Sequence, residues 1–172
     1  MLIRPARPED AALLPAIEAS AAHLFRTASG LEWIADDGVL PVATHLRLIA
    51  QGTVWVAQAP TGALCGFVDA EAFGDALHIW ELAVDADHQR MGVGGLLMRQ
   101  ARLHSRAAGL AEVTLTTFRD LPWNAPWYAR QGFCEADAPP GSRLADVLRA
   151  EAGHGLPVQR RVAMRLPVAD AA

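Results

Sequence analysis

Residues 89–95, Gln-Arg-Met-Gly-Val-Gly-Gly, have the residue types and spacing of an anion-binding turn. The turn lies between an apolar strand-like segment and a helix-like one, and the first amides of a helix have no intrahelical acceptor. Those N–H groups and the helix dipole favour a phosphate at this position. The alternative is a tight strand-to-helix connection in which Gly94 and Gly95 only allow close packing.

The same turn argues against two familiar nucleotide sites. A dinucleotide fingerprint would need a third glycine at position 97, where the chain has Leu97, and a Walker A loop needs a lysine, which the chain lacks. ATP or GTP hydrolysis is therefore not expected. A nucleotide-binding α/β domain of another kind remains a competing interpretation.

A second block follows about thirty residues later. The two segments HIWELAVDADHQRMGVGGLL and VTLTTFRDLPWNAPWYARQGF together resemble the GNAT superfamily of acyl-CoA-dependent N-acyltransferases, over about residues 76–135. The resemblance implies acetyl-CoA as cosubstrate. It also implies a GNAT-like fold in which parallel strands 76–84 and 112–118 are splayed around the cofactor.

The elements read from hydrophobic periodicity agree with that fold. A strand, a glycine turn, a helix and a strand form a βαβ crossover, so strands 76–84 and 112–118 should be parallel. We expect one α/β (α+β) domain over residues 1–172, with a mixed, mostly antiparallel sheet of about seven strands and helices on both faces. Pro15 predicts a kink in the first helix. In the helix after the glycine turn, Leu96, Leu97 and Leu103 should face the core.

The resemblance assigns the cofactor contacts by position. The diphosphate of coenzyme A would be bound by the turn that begins at Gln89, through the backbone amides of Arg90, Met91, Gly92, Val93, Gly94 and Gly95. Leu82, Ala83 and Val84 would pair with the pantetheine arm, with the Val84 N–H facing the thioester carbonyl. Arg99, Arg102 and Arg106 either reach the 3′-phosphate or form a solvated helix face.

Asn124 lies only four residues before Tyr128, whereas the family spacing is about seven. The helix that carries Tyr128 is therefore short by about one turn. Because Pro126 follows it closely, Asn124 looks like a helix N-cap. It would either cap alone or cap and also contact the cofactor.

The resemblance makes Tyr128 the acid that protonates the departing thiolate. A phenol with a pKa of about 10 can act as a weak acid toward the thiolate of a thiol whose pKa is about 8.5. The structural alternative is an aromatic side chain that closes the core.

A base should remove the proton of an amine whose pKa is roughly 10. Strand alternation puts His78 on one face with Trp80 and Leu82, and Glu81 on the other. The base is His78, or Glu81 through a water, or neither of them. A core histidine is the structural alternative for His78.

Composition restricts the partners. A net charge of −4 and a pI near 5.8 argue against nucleic acid and anionic membranes as partners. No apolar stretch approaches the ~20 residues of a membrane span, and the N-terminus lacks a signal-peptide pattern. Cys65 and Cys134 are expected to be buried free thiols, and no histidine spacing suggests a metal. These features suit a cytoplasmic, bacterial-like enzyme.

The sequence therefore predicts an N-acetyltransferase that moves acetyl from acetyl-CoA to a primary amine by direct attack in a ternary complex. The alternative is a non-catalytic acyl-CoA-binding or regulatory module of the same fold. The acceptor is a small-molecule or peptide amine, and a homodimer is compatible with the sequence. In residues 27–40, Glu32, Asp36, Asp37 and Trp33 would either attract a cationic amine or form a solvated acidic loop.

Overall fold

A computed structural model describes residues 1–168 and contains a seven-stranded mixed sheet. The strand order is β1-β2-β3-β4-β5-β7-β6. The strands are β1 Leu2–Pro5, β2 Val54–Gln58, β3 Leu64–Phe73, β4 Ala76–Val84, β5 Glu112–Phe118, β6 Cys134–Glu135 and β7 Arg161–Pro167. The helices are α1 Leu14–Ala22, α2 Val42–Ala50, α3 Val93–Ala107, α4 Ala125–Arg130 and α5 Arg143–Gly153. The predicted fold class, a mostly antiparallel sheet with helices on both faces, is confirmed.

Strands β4 and β5 are parallel, as the crossover predicts. Their ladder pairs Ala76 with Glu112, Leu77 with Val113 and His78 with Thr114. The pairs β1–β2, β2–β3, β5–β7 and β6–β7 are antiparallel. The ladder between β4 and β5 thus ends at His78, one of the predicted functional residues.

The chain divides into two compact units. The first comprises Met1–Ala72 and Trp80–His104; the second comprises Phe73–Ile79 and the described residues from Ser105 onward. The core of the first unit includes Leu14 and Leu48 from α1 and α2, packed with Val56 and Phe67 from the sheet. The buried strand residues of the second unit include Val113, Leu115, Val162 and Met164.

In the second unit, a partly buried ion pair joins α5 to the sheet. Arg161 of β7 donates to both carboxylate oxygens of Glu151, at 2.7 and 2.9 Å. The Thr116 hydroxyl of β5 also hydrogen-bonds Glu151. The Arg161 guanidinium carbon lies 4.5 Å from the centroid of the Phe118 ring. These contacts fix α5 over β5 and β7.

The predicted kink at Pro15 is wrong. Helix α1 begins at Leu14, so Pro15 occupies the first turn, where a missing N–H breaks no helical hydrogen bond. The preceding residues 8–10 form a separate 3₁₀ turn. The proline therefore sets where the helix starts.

The predicted inward face of α3 is only partly correct. Leu97 is fully buried with Val93 and Ala101, whereas Leu96 and Leu103 are 39% and 48% exposed. The buried stripe follows the spacing of four residues from Val93, and Leu96 and Leu103 lie about 100° away from it around the helix.

No helix within residues 1–168 has both the length and the apolar character needed to cross a membrane.

Candidate active site

The glycine turn contains left-handed backbone and leads directly into α3. Arg90 and Gly92 both have positive φ angles, of 59° and 83°. The Leu96 N–H donates to the Gly92 carbonyl at 3.1 Å as α3 begins. The amides of Val93, Gly94 and Gly95 precede that bond, so they are the first-turn donors that a helix cannot satisfy internally. This arrangement fits a phosphate group.

Side-chain hydrogen bonds hold the segment that joins β4 to the glycine turn. Gln89 Nε2 donates to the Val84 carbonyl at 3.1 Å, so this predicted cofactor residue ties the turn to the end of β4. The Asp85 carboxylate accepts from Ser20 Oγ at 2.8 Å and from the Asp87 N–H at 3.1 Å. The Ser20 hydroxyl, with His88 and Asp87, holds the pKa of Asp85 below its usual value. Sequence reasoning missed the contribution of Ser20, since it lies 65 residues away in α1.

Gly66 of β3 lets α3 approach the sheet closely. A Cβ atom there would lie 3.0 Å from the Ala83 carbonyl oxygen and 3.3 Å from the side chains of Val93 and Leu97. Because Val93 begins α3 and Ala83 lies at the end of β4, Gly66 sets the position of the strand and helix that flank the glycine turn.

Gly66→Ala should therefore lower the free energy of unfolding by about 1 to 3 kcal/mol, because the added methyl overpacks a backbone contact. Urea denaturation measures this. The matched control is Gly38→Ala, whose Cβ would have no atom within 4 Å. Equal destabilisation by the two substitutions would show that the close approach at Gly66 is unimportant.

Tyr128 is held by the C-terminal cap of α4. The Phe133 N–H donates to the Tyr128 carbonyl at 3.1 Å, and the Gly132 N–H donates to the Ala129 carbonyl at 3.0 Å. With Gly132 at a φ of 97°, this is a Schellman motif. Its hydrophobic contact is the Tyr128 ring against Phe133, with centroids 5.6 Å apart. The motif Tyr-x-x-x-Gly-Phe therefore positions a tyrosine that is only 9% exposed.

Asn124 occupies the N-cap position of α4, but its side chain does not cap the helix. Its carbonyl accepts from the N–H groups of Trp127 and Tyr128, at 2.8 and 3.0 Å. Its Nδ2 atom is buried and has no hydrogen-bond partner among the described residues. An amide donor left in this way is suited to a ligand oxygen.

His78 is almost completely buried, with 1% of its surface exposed. Its Nδ1 lies 3.0 Å from the hydroxyl of Thr114 on the adjacent parallel strand. This contact fixes the orientation of the ring. Glu81, the alternative base, is half-buried further along β4, and Trp80 donates from Nε1 to Glu71 at 2.9 Å.

A buried polar cluster in the first unit was not anticipated. His45 Nδ1 lies 2.6 Å from Asp69 Oδ2, and both side chains are fully buried. His45 Nε2 and Asp69 Oδ1 have no partner among the described residues. Glu18 accepts from the Leu40 N–H at 3.1 and 3.2 Å, and burial raises its pKa to about 7. The amphipathic pattern of α2 places position 45 on the buried face but cannot reveal its partner.

The raised pKa of Glu18 predicts that stability depends on pH. A carboxyl whose pKa is higher in the folded chain contributes stability below its unfolded pKa and loses it as pH rises through about 7. Between pH 5 and pH 8, the free energy of unfolding of the wild type should therefore fall by up to about 3 kcal/mol because of Glu18. Glu18→Gln should not show this decrease. Melting temperatures across this range measure it, with the exposed Glu32→Gln as control. Parallel pH profiles for wild type and Glu18→Gln would contradict the assignment.

The acidic segment of residues 27–40 is largely solvated. Asp36 forms an exposed ion pair with Arg26 at 2.7 Å, and Glu32, Asp37 and Trp33 are exposed. Arg99, Arg102 and Arg106 are exposed on α3, which is compatible with both interpretations of these residues. Cys65 is buried, but Cys134 is exposed because β6 is a two-residue strand at the edge of the sheet. Within residues 1–168, no three histidine, cysteine or acidic side chains form a group able to hold a metal.

Comparison with known proteins supports one family. Residues 50–135 match the family model described as an acetyltransferase (GNAT) domain. A Thermoplasma acidophilum N-acetyltransferase solved with coenzyme A is 16% identical, with a TM-score of 0.71 and coverage of 96% of this chain and 98% of that one. A Mycobacterium tuberculosis protein solved with CoA and NLQ is 18% identical, with a TM-score of 0.69 and coverage of 97% and 99%. The Escherichia coli ribosomal-protein-S18-alanine N-acetyltransferase is 18% identical, with a TM-score of 0.68 and coverage of 99% and 96%.

Proposed function

Because the chain belongs to the GNAT family of acetyltransferases, we propose that it transfers acetyl from acetyl-CoA to a primary amine by direct attack. One observation carries the proposal: the matched residues 50–135 contain both the glycine turn and the capped Tyr128. Two similar structures contain CoA, which supports the choice of cosubstrate. The acceptor would be a small-molecule or peptide amine.

In this proposal the cofactor would be bound mainly by backbone atoms. The amides of the glycine turn would hold the diphosphate, and Leu82, Ala83 and Val84 would pair with the pantetheine arm. The Val84 N–H would stabilise the oxyanion, and the Gln89 contact to the Val84 carbonyl would keep that peptide oriented. The buried Asn124 Nδ2 would donate to a cofactor oxygen.

The chemistry would be assigned to two side chains, His78 and Tyr128. His78 would accept a proton from the acceptor amine, whose nitrogen forms a bond to the thioester carbonyl carbon. The carbon–sulfur bond then breaks, and Tyr128 would give its proton to the thiolate. Glu81 acting through a water is the alternative base. No covalent acyl-enzyme is required.

The choice of cofactor can be tested by thermal shift. Acetyl-CoA should raise the melting temperature, whereas ATP and NAD should not, because the turn lacks a Walker lysine and a third glycine. Stabilisation by ATP or NAD but not by acetyl-CoA would replace the proposal with a nucleotide-binding domain. Tight binding of acetyl-CoA without turnover on any amine would favour the non-catalytic module.

A charge placed on the turn should weaken cofactor binding. Met91 is 65% exposed, so Met91→Glu leaves the core intact and adds a carboxylate beside the proposed diphosphate. At an effective dielectric constant of about 20, such repulsion is worth a few kcal/mol at most, so we expect the dissociation constant of acetyl-CoA to rise about tenfold. Calorimetry measures this with Met91→Gln as the neutral control. Equal affinity of the two variants would place the diphosphate elsewhere.

A further inference from the structure

The segment between β4 and the glycine turn is a single 3₁₀ turn of residues 86–88. In the proposed function, cofactor donors lie on both sides of this turn: the Val84 N–H before it and the amides of residues 90–95 after it. The Asp85 carboxylate accepts from the Asp87 N–H at 3.1 Å and thereby caps the turn. The conformation of this short segment therefore decides how the two groups of donors are oriented relative to each other.

Ser20 of α1 contacts the segment through its hydroxyl, although it lies 65 residues before Asp85. Ser20 Oγ donates to the Asp85 carboxylate at 2.8 Å and accepts from the Ala86 N–H at 3.0 Å. A hydroxyl carries one proton and two lone pairs, so both bonds form at once. The Ala86 N–H is the first of the 3₁₀ turn, and the turn itself offers it no acceptor. The Ser20 side chain therefore completes the start of the turn.

The hydrophobic core fixes the helix that carries Ser20. Leu14 and Ile17 of α1 are buried in the same core cluster as Ala83, which lies near the end of β4. A side chain on an element held by packing positions its partner more precisely than a side chain on a loop does. Helix α1 therefore presents the Ser20 hydroxyl to the segment at a defined place.

Removal of this hydroxyl should loosen the segment. The Asp85 N–H would still donate to the Cys65 carbonyl at 3.0 Å, and Gln89 Nε2 would still donate to the Val84 carbonyl at 3.1 Å. Neither of these contacts holds the Ala86 N–H. A loosened segment must be ordered again when the cofactor binds, and that cost lowers the affinity.

We propose that Ser20 is a positioning residue for acetyl-CoA. Its hydroxyl holds Asp85 and Ala86 in the conformation that aligns the Val84 N–H with the amides of the glycine turn, so that one cofactor molecule meets both. This inference rests on the proposed acetyl transfer and adds a residue outside the matched range 50–135. Because Ser20 acts through the segment and not on the thioester, its substitution should change the affinity for acetyl-CoA and not the rate of the transfer step.

Calorimetry with acetyl-CoA tests this role. Ser20→Ala should raise the dissociation constant about fivefold, the factor that one ordinary hydrogen bond is worth. Ser20→Thr keeps the hydroxyl and should bind acetyl-CoA as the wild type does. With an amine that the wild type acetylates, Ser20→Ala should raise KM for acetyl-CoA by the same factor and leave kcat and the KM of the amine unchanged.

Ser142→Ala is the matched control, because Ser142 also holds the start of a helix with its hydroxyl. Ser142 Oγ accepts from the Ala145 N–H at 3.3 Å at the beginning of α5. This variant should lower the melting temperature and leave the dissociation constant of acetyl-CoA unchanged.

Asp85→Asn weakens the same contact from its other side and should also raise the dissociation constant. If Ser20 acts through Asp85, the double variant with Ser20→Ala should bind more tightly than the product of the two single effects predicts. A full product of the two effects would show that the residues act independently and would overturn the proposal.

Two further results would overturn it while the proposed function stands. One is an unchanged dissociation constant in Ser20→Ala with a lowered melting temperature, which is the result of a purely structural role. The other is equal weakening by Ser20→Ala and Ser20→Thr, since the hydroxyl would then be unimportant. Failure of the wild type to bind acetyl-CoA would instead overturn the proposed function.

Discussion

Tyr128→Phe should lower kcat for acetyl transfer about tenfold or more and leave the dissociation constant of acetyl-CoA unchanged. The substitution removes only the hydroxyl. The ring contacts with Phe133 and Trp127 and the Schellman cap of α4 are retained, so the fold should not change. Without the proton donor, the thiolate must leave as an anion, which raises the barrier of the transfer step.

The variant has a built-in spectroscopic control. Tyr128 is the only tyrosine of the chain, so the phenolate absorbance of the wild type reports this residue alone. Tyr128→Phe should abolish that signal, and its melting transition should be that of a folded protein. Unchanged turnover in a variant that meets both criteria would remove Tyr128 as the acid.

His78→Gln should lower kcat/KM about tenfold or more at pH 7, and the loss should shrink as the pH approaches 10. At pH 7 only about one in a thousand molecules of a simple amine is neutral, and at pH 10 about half are. A base is therefore needed most at low pH. The pH profile distinguishes this role from a structural one, because a misfolded variant loses activity at every pH.

Glu81→Gln serves as the matched variant on the same strand. If His78 is the base, Glu81→Gln keeps the wild-type pH profile. Loss of activity at pH 7 in Glu81→Gln together with full activity in His78→Gln would instead assign the proton transfer to Glu81 through a water. Because His78 is buried against Thr114, melting temperatures of both variants must accompany the kinetics.

Local signals determine much of this fold. The alternation in residues 76–84 and the glycine turn after it predict β4, α3 and the parallel β5, since a βαβ crossover allows only that arrangement. Gly52, Gly109, Gly132 and Gly155 follow helix ends and take positive φ angles, as the C-cap preference requires. Helix α1 differs because the chain before Pro15 forms short turns instead of a helix.

The side-chain partners could not be predicted. Thr114 meets His78 only through the register of two strands joined by a long crossover, and Asp69 meets His45 across 24 residues. Gly66 looks like an ordinary strand residue until α3 packs on it. Periodicity shows which residues face the core, but their neighbours depend on tertiary packing.

The central claim is that this chain moves an acetyl group from acetyl-CoA to an amine. The direct measurement incubates the protein with acetyl-CoA and a primary amine, and quantifies free thiol by absorbance and acetylated amine by mass spectrometry. We expect equal amounts of the two products, which vanish together when the amine is omitted. Thiol release without acetylated amine, or acetyl-CoA binding with neither product across a broad amine panel, would contradict it.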